Sequence, residues 1–183
     1  MTSRSALPYT PEDADPARLP TPGLRRRMAA MLYEAVVLFG VLMVSGLLFS
    51  PLTDQRHALQ GRVELQVFLF GMLGLYFTWF WTHSGQTVAM KTWHVRVVRQ
   101  DGRPLGGWNA LVRYTLSWLW FLPALGVAAM LKLHTSGEYM LALLVGVVAY
   151  AALTRRLPDH QFLHDRLCQT RLVTWRPAPR RLR

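Results

Sequence analysis

The chain has 183 residues, of which 51% are hydrophobic and 17% charged, with a mean hydropathy of +0.16 and a formal net charge of +11. That length holds one compact unit, and the composition lies on the apolar side of ordinary globular usage. A single cysteine, Cys168, excludes an intrachain disulfide, and its place near the basic C-terminal side points to a reduced thiol.

Residues 1–23 are polar and carry Pro8, Pro11, Pro16, Pro20 and Pro22, the composition of a disordered tail. Residues 28–49 then run apolar, interrupted only by Glu34. The run is too long for a signal-peptide core and no small-residue cleavage site follows it, so it reads as an uncleaved anchor. About 20 mostly apolar residues cross the hydrocarbon of a bilayer. Three further runs approach or meet that length: 65–82, 110–131 with Arg113 near its start, and 135–153 with Glu138 near its start. The expected fold is an all-α membrane bundle of four transmembrane helices. Three spans plus a short fourth is the alternative, because the uninterrupted part Tyr139–Leu153 is only 15 residues unless it extends into the His134–Glu138 turn. A soluble bundle would need polar stripes at helical spacing, and VLFGVLMVSGLLF has none.

Between the spans, Pro51 and its polar neighbours end the first helix and open a short loop over 50–63. The second helix ends in WFWTHSGQT, where Trp79 and Trp81 sit at the level of an interfacial belt and Gly85 breaks the helix. Residues 84–109 read as a structured helix/strand loop. VAMKTW makes a short helix, Trp93, Val95 and Val97 alternate with His94, Arg96 and Val98 as a half-buried strand, and Asp101-Gly102 makes a tight turn. Pro104 limits the returning strand to an edge. Asn109 is expected to cap the third helix, Trp118 and Trp120 to pack between helices, and Pro123 to kink it. LPDHQFLHDRLCQTRLVTW mixes apolar and charged residues as an interfacial segment does, and 175–183 is a basic tail.

Lysine and arginine number five in residues 1–27, two in the first loop, five in 83–113, one in the turn at Lys132, and eight after Thr154. Alternate segments thus hold 18 of the 21, which places both termini and the 84–109 loop in the cytoplasm. The basic excess then meets anionic lipid head groups on that leaflet, and nucleic acid is not needed as a partner.

Glu34 is the sharpest feature. It lies seven residues, two helical turns, beyond Arg27, so the two share a face with Glu34 about 10 Å deeper. A charge in hydrocarbon costs about 2.5 kcal/mol or more, so such a residue turns toward the protein interior or a water-filled cavity. Glu34 can pair with a cation, protonate, or snorkel to the surface. Arg113, Lys91 and the arginines of the C-terminal segment are the cations that return to the same leaflet.

Three stretches carry a family resemblance: Arg27-Met-Ala-Ala-Met-Leu-Tyr-Glu34; Gly85-Gln86-Thr87 with Lys91 and the run Val95–Gly102; and His164-Asp165-Arg166 continuing to Val173. Over about residues 24–174 the chain resembles the RDD family, small bacterial membrane proteins named for one arginine and two aspartates. The resemblance implies a multi-pass protein of the bacterial inner membrane, suspected of transport. It matches Arg27 to the family arginine and Asp165 to the second aspartate, while Glu34 stands in the place of the first. Gln86, Thr87, Lys91, Arg113, His164 and Arg166 are the supporting polar residues.

A cluster of Glu34, Asp165 and Arg27 would serve a proton or cation relay, since neighbouring acids shift each other's protonation. It would equally serve as a static lock of the C-terminal segment on the first helix. Two functions follow: transport of a small cation or proton, or a non-transporting accessory or scaffold subunit of another membrane complex. Four short helices enclose little volume, so a homo-oligomer is expected. His160 and His164 are four apart, as metal ligands can be, but no further ligand pattern accompanies them and no metal is expected. Gly85-Gln86-Thr87 lacks the spacing of a phosphate loop. No nucleophile and base pair is evident, so neither catalysis nor a cofactor is expected.

Overall fold

The structure, a computed structural model, describes residues 14–52, 62–157 and 160–177. Residues 1–13, most of the loop placed at 50–63, and the end of the basic tail lie outside the described residues. The chain is mainly helical: α1 Leu24–Leu52, α2 Arg62–His83, α3 Val88–Thr92, β1 Val95–Arg99, α4 Gly107–Ser117, α5 Leu122–Met130, α6 Ser136–Leu153, α7 Leu163–Leu167 and β2 Thr170–Thr174.

Among the described residues, four helical stretches are long and apolar enough to cross a membrane: Leu24–Phe49, Val63–His83, Gly107–Met130 and Ser136–Leu153. Such segments are helical because hydrocarbon offers no partner to a free N–H or C=O, and a helix satisfies both internally. Their large apolar side chains face outward, as Leu32, Phe39 and Leu47 do on α1 and Met140, Leu144 and Val148 on α6. That is the arrangement lipid stabilises and water does not.

The third span is broken. A 3-10 turn over Trp118–Trp120 separates α4 from α5, and Pro123 occupies the first turn of α5. Proline has no N–H to donate and its ring collides with the preceding turn, so the kink expected at Pro123 becomes a restart. The fourth span is a full 18 residues, about 27 Å of rise. Glu138, which looked like an interruption, closes a capping box with the N-cap Thr135: the Thr135 hydroxyl accepts from the Glu138 N–H at 3.3 Å while the Glu138 carboxylate accepts from the N–H groups of Thr135 and His134. Asn109 is not the cap expected for the third span. The helix starts earlier, at Gly107, with Gly106 in the cap position and no side-chain bond.

Packing between α2 and α4 depends on Gly74, where an added Cβ would come within 3.1 Å of the Tyr114 ring. Tyr114 lies over this glycine and donates to the Phe70 carbonyl at 2.7 Å, which ties a phenol to a backbone group inside the bundle.

At the end where α1 begins, a small folded cap closes the bundle. Across the Asp101-Gly102 turn β1 makes a backbone bond from the Arg99 N–H to the Arg103 carbonyl at 2.9 Å, but no returning strand forms there among the described residues. β1 pairs antiparallel with β2, in the register Val95↔Thr174 through Arg99↔Thr170. Val95, Val97, Val98 and Val173 are all fully buried, so the sheet has apolar contacts on both faces, and the expected alternation fails at Val98. Trp93 lies outside the strand, exposed at the end of α3. The segment read as interfacial forms α7 and β2 and is folded into this cap.

Residues 14–23 are also part of the cap, against the expectation of a disordered tail. The Thr174 N–H donates to the Pro20 carbonyl at 2.9 Å, the Arg171 guanidinium to the carbonyls of Ala17 and Leu19, and the Gln161 amide to the Thr21 hydroxyl at 2.9 Å. The strap meets the sheet through its carbonyls, a role that prolines leave open, while the N–H groups of Ala17, Arg18 and Leu19 bond within the strap itself. Trp175 continues the strand pairing, donating to the His94 carbonyl at 2.9 Å, with the Arg96 guanidinium 4.5 Å over its ring. Cys168 is a buried free thiol, pushed up from its ordinary value by burial, as an inert cysteine is.

Candidate functional site

The two-turn spacing on α1 puts Arg27 and Glu34 on the face turned into the protein, where they are 4% and 8% exposed, while Leu32 and Val36 beside them face out. Both line one cavity of about 300 Å³, together with Arg113, His164 and a mainly apolar wall that includes Leu73, Phe77, Trp118 and Phe162.

Glu34 is held by neutral hydroxyls. Tyr76 on α2 donates to Oε1 at 2.7 Å, and Thr87 donates to Oε2. Thr87 is placed by its own role as N-cap of α3, where its oxygen accepts the Met90 N–H at 3.2 Å. The loop before it is pinned to β1. The Gly85 carbonyl accepts the Val97 N–H at 2.8 Å, and the Gln86 side chain donates to the Val95 carbonyl at 2.7 Å. Gly85 has φ +69°, and a Cβ there would lie 2.7 Å from the Val97 carbonyl oxygen, so only glycine fits. The Gly-Gln-Thr triplet therefore delivers a hydroxyl to Glu34.

Asp165 is held by a cation. Its Oδ1 lies 2.5 Å from Nη2 of Arg113, and the two side chains are 0% and 5% exposed. The Thr170 hydroxyl donates to the Asp165 carbonyl at 3.2 Å. The Arg113 guanidinium stacks 4.2 Å over the Trp81 ring, so α2, α4 and α7 meet at one ion pair. His164 beside it meets the Tyr150 hydroxyl at 2.9 Å through Nδ1 and lies 3.5 Å from Asp165 through Nε2. Burial pushes His164 down to about 4, with Asp165 opposing that shift. The ring is neutral at physiological pH.

Arg27 has neither arrangement. It lies 4.4 Å over the Phe162 ring, and its Nε and Nη1 are buried with no acceptor among the described residues.

The structure thus gives the two carboxylates separate partners. Arg113, considered as a counter-ion of Glu34, is committed to Asp165. Lys91 and Arg166 are exposed and take no part. Gln86, Thr87, Arg113 and His164 are all buried around the site. His160 precedes α7 in a separate turn, so it does not share a helix face with His164. Sequence reasoning did not single out Tyr76, Tyr150, Thr170 or Phe162. A phenol inside an otherwise apolar span is a usable signal for the first two, because its hydroxyl must find a partner there; Phe162 offers none.

A family model described as RDD family matches residues 21–169, most of the chain. No curated protein and no solved structure gives a significant match.

Proposed function

The chain belongs to the RDD family of membrane proteins, and from that premise we propose that it is a multi-pass carrier that binds a proton or a small monovalent cation at Glu34. One observation carries this reading: a carboxylate buried within a span, on the wall of a cavity, is bonded to two hydroxyls and to no basic side chain among the described residues. An uncompensated charge away from water costs several kcal/mol. A proton or a cation completes the site, and exchange of that ion is what a carrier requires. Asp165 differs in carrying a built-in counter-charge: its Oδ1 meets Arg113, although its Oδ2 is buried without a hydrogen-bond partner among the described residues, so the pair acts as a lock that fastens α7 and β2 to α4.

The distribution of lysine and arginine supports a cytoplasmic cap, with both termini on that side of a bacterial inner membrane and anionic lipid beside it. The small volume of four spans supports a homo-oligomer. The test is flux in liposomes holding purified protein, with proton and alkali-cation gradients applied in turn. The wild type carries one of these ions, and Glu34→Gln abolishes the flux while the protein remains folded. A folded wild-type protein that carries neither at any pH would refute the carrier and favour the accessory role.

A further inference from the structure

The cavity has a feature that the cation reading leaves unused. Its wall is mainly apolar, yet two guanidiniums, each at least nine-tenths buried, contribute to it. The charge of Arg113 is spent on Asp165. Arg27 is different: it feels the Asp165 charge without hydrogen-bonding to it, and its Nε and Nη1 are buried without an acceptor among the described residues, as is Nε of Arg113. The Phe162 ring under Arg27 and the Trp81 ring under Arg113 contact the faces of the guanidiniums. Face contacts leave the N–H groups in the guanidinium plane unused, and those groups form the fork that fits a carboxylate or a phosphate. A buried cation with unused donors is costly unless something accepts from it. Beyond Arg27 the cavity continues along Leu38, Leu73, Phe77, Trp118 and Phe121, a surface for an apolar chain. About 300 Å³ is the lower end of the range for small-molecule sites.

We propose that the cavity binds an amphiphilic anion, with a carboxylate or phosphate head on Arg27 and its apolar tail along the wall formed by α1, α2 and the Trp118–Phe121 turn. This rests on the geometry around Arg27 and holds whether or not an ion crosses at Glu34. The head could come from a bilayer phospholipid or from a free amphiphile such as a fatty acid; the chemistry is the same.

Trp81, Trp118 and Trp120 line the cavity and provide the readout. Full-length protein in nanodiscs of phosphatidylcholine is titrated with 12-bromododecanoate, whose bromine quenches tryptophan fluorescence. The expected result is a saturable phase that the corresponding bromo-alcohol and bromo-trimethylammonium compounds lack. Arg27→Gln weakens it about tenfold or more, the scale of a lost charge-assisted bond, and Arg27→Lys restores part of it. Leu73→Trp, which fills the apolar wall and keeps Arg27, also removes the phase and guards against misfolding of the Arg27 variants. Nanodiscs containing phosphatidylglycerol separate the sources: loss of the saturable phase there assigns the head to a phospholipid, and its persistence assigns a free amphiphile. Equal quenching by the neutral and cationic compounds, or unchanged binding in folded Arg27→Gln, would overturn the proposal.

Discussion

Two buried acids lie at the same end of this bundle and are treated in opposite ways. Asp165 sits in the folded cap with an arginine at 2.5 Å, while Glu34 sits in the first span with two hydroxyls as its hydrogen-bond partners among the described residues. The difference is one of counter-charge. An acid whose counter-charge is built into the protein holds elements together, and an acid without one is open to an ion from outside. Arg27 is the mirror case, a cation whose Nε and Nη1 find no acceptor among the described residues.

The contrast is broken most severely at the lock. Asp165→Ala leaves Arg113 buried and unpaired, and the expected loss is about 3–5 kcal/mol, read as a large drop in the unfolding midpoint in detergent. A loss below about 1 kcal/mol would mean that the pair contributes no more than a surface ion pair. Next is Gly85→Ala, which must abandon φ +69° or push the Val97 carbonyl away. A cost of about 1–3 kcal/mol is expected, together with loss of the Thr87 contact to Glu34.

Smaller effects fall on the other acid. Glu34→Gln keeps shape and one good acceptor, so stability should change by about 1 kcal/mol or less even as ion flux disappears; that split between stability and flux separates the two acids. Tyr76→Phe removes one donor to Glu34 and should cost about 1 kcal/mol, with altered ion affinity in the same flux assay. The smallest effect is the pH dependence at His164. Unfolded histidine titrates near 6.5, whereas the folded residue is held down to about 4. As pH falls through this window the unfolded chain takes up the proton first, so stability present above about 6.5 is lost progressively toward 4. His164→Asn should flatten that slope in melting curves taken across the window.

Much of this architecture is readable from composition because a bilayer imposes length and hydropathy on each span. The four spans and the inward face shared by Arg27 and Glu34 follow from that constraint, and the break near Pro123 from the chemistry of proline. Long-range choices do not. β1 finds its partner in β2, far along the chain, and nothing within VRVVR or TRLVT prefers that pairing to a nearer one. The strap at 14–23 reads as disordered because its prolines and polar residues bury little, yet its carbonyls serve Arg171 and Thr174. Asp165 had several arginines within reach of the same leaflet, and spacing alone cannot rank them. Geometry selected Arg113, because Trp81 stacks its guanidinium and α4 carries it to α7.

Infrared difference spectroscopy of the protein in lipid, stepped through pH and through added alkali cation, tests the account most directly. The prediction is a carboxyl band that responds to one of these ions, vanishes in Glu34→Gln and survives in His164→Asn, where the Arg113–Asp165 pair is kept. A spectrum in which Glu34→Gln leaves every responsive carboxyl band in place would contradict the assignment of Glu34 as the ion-accepting acid.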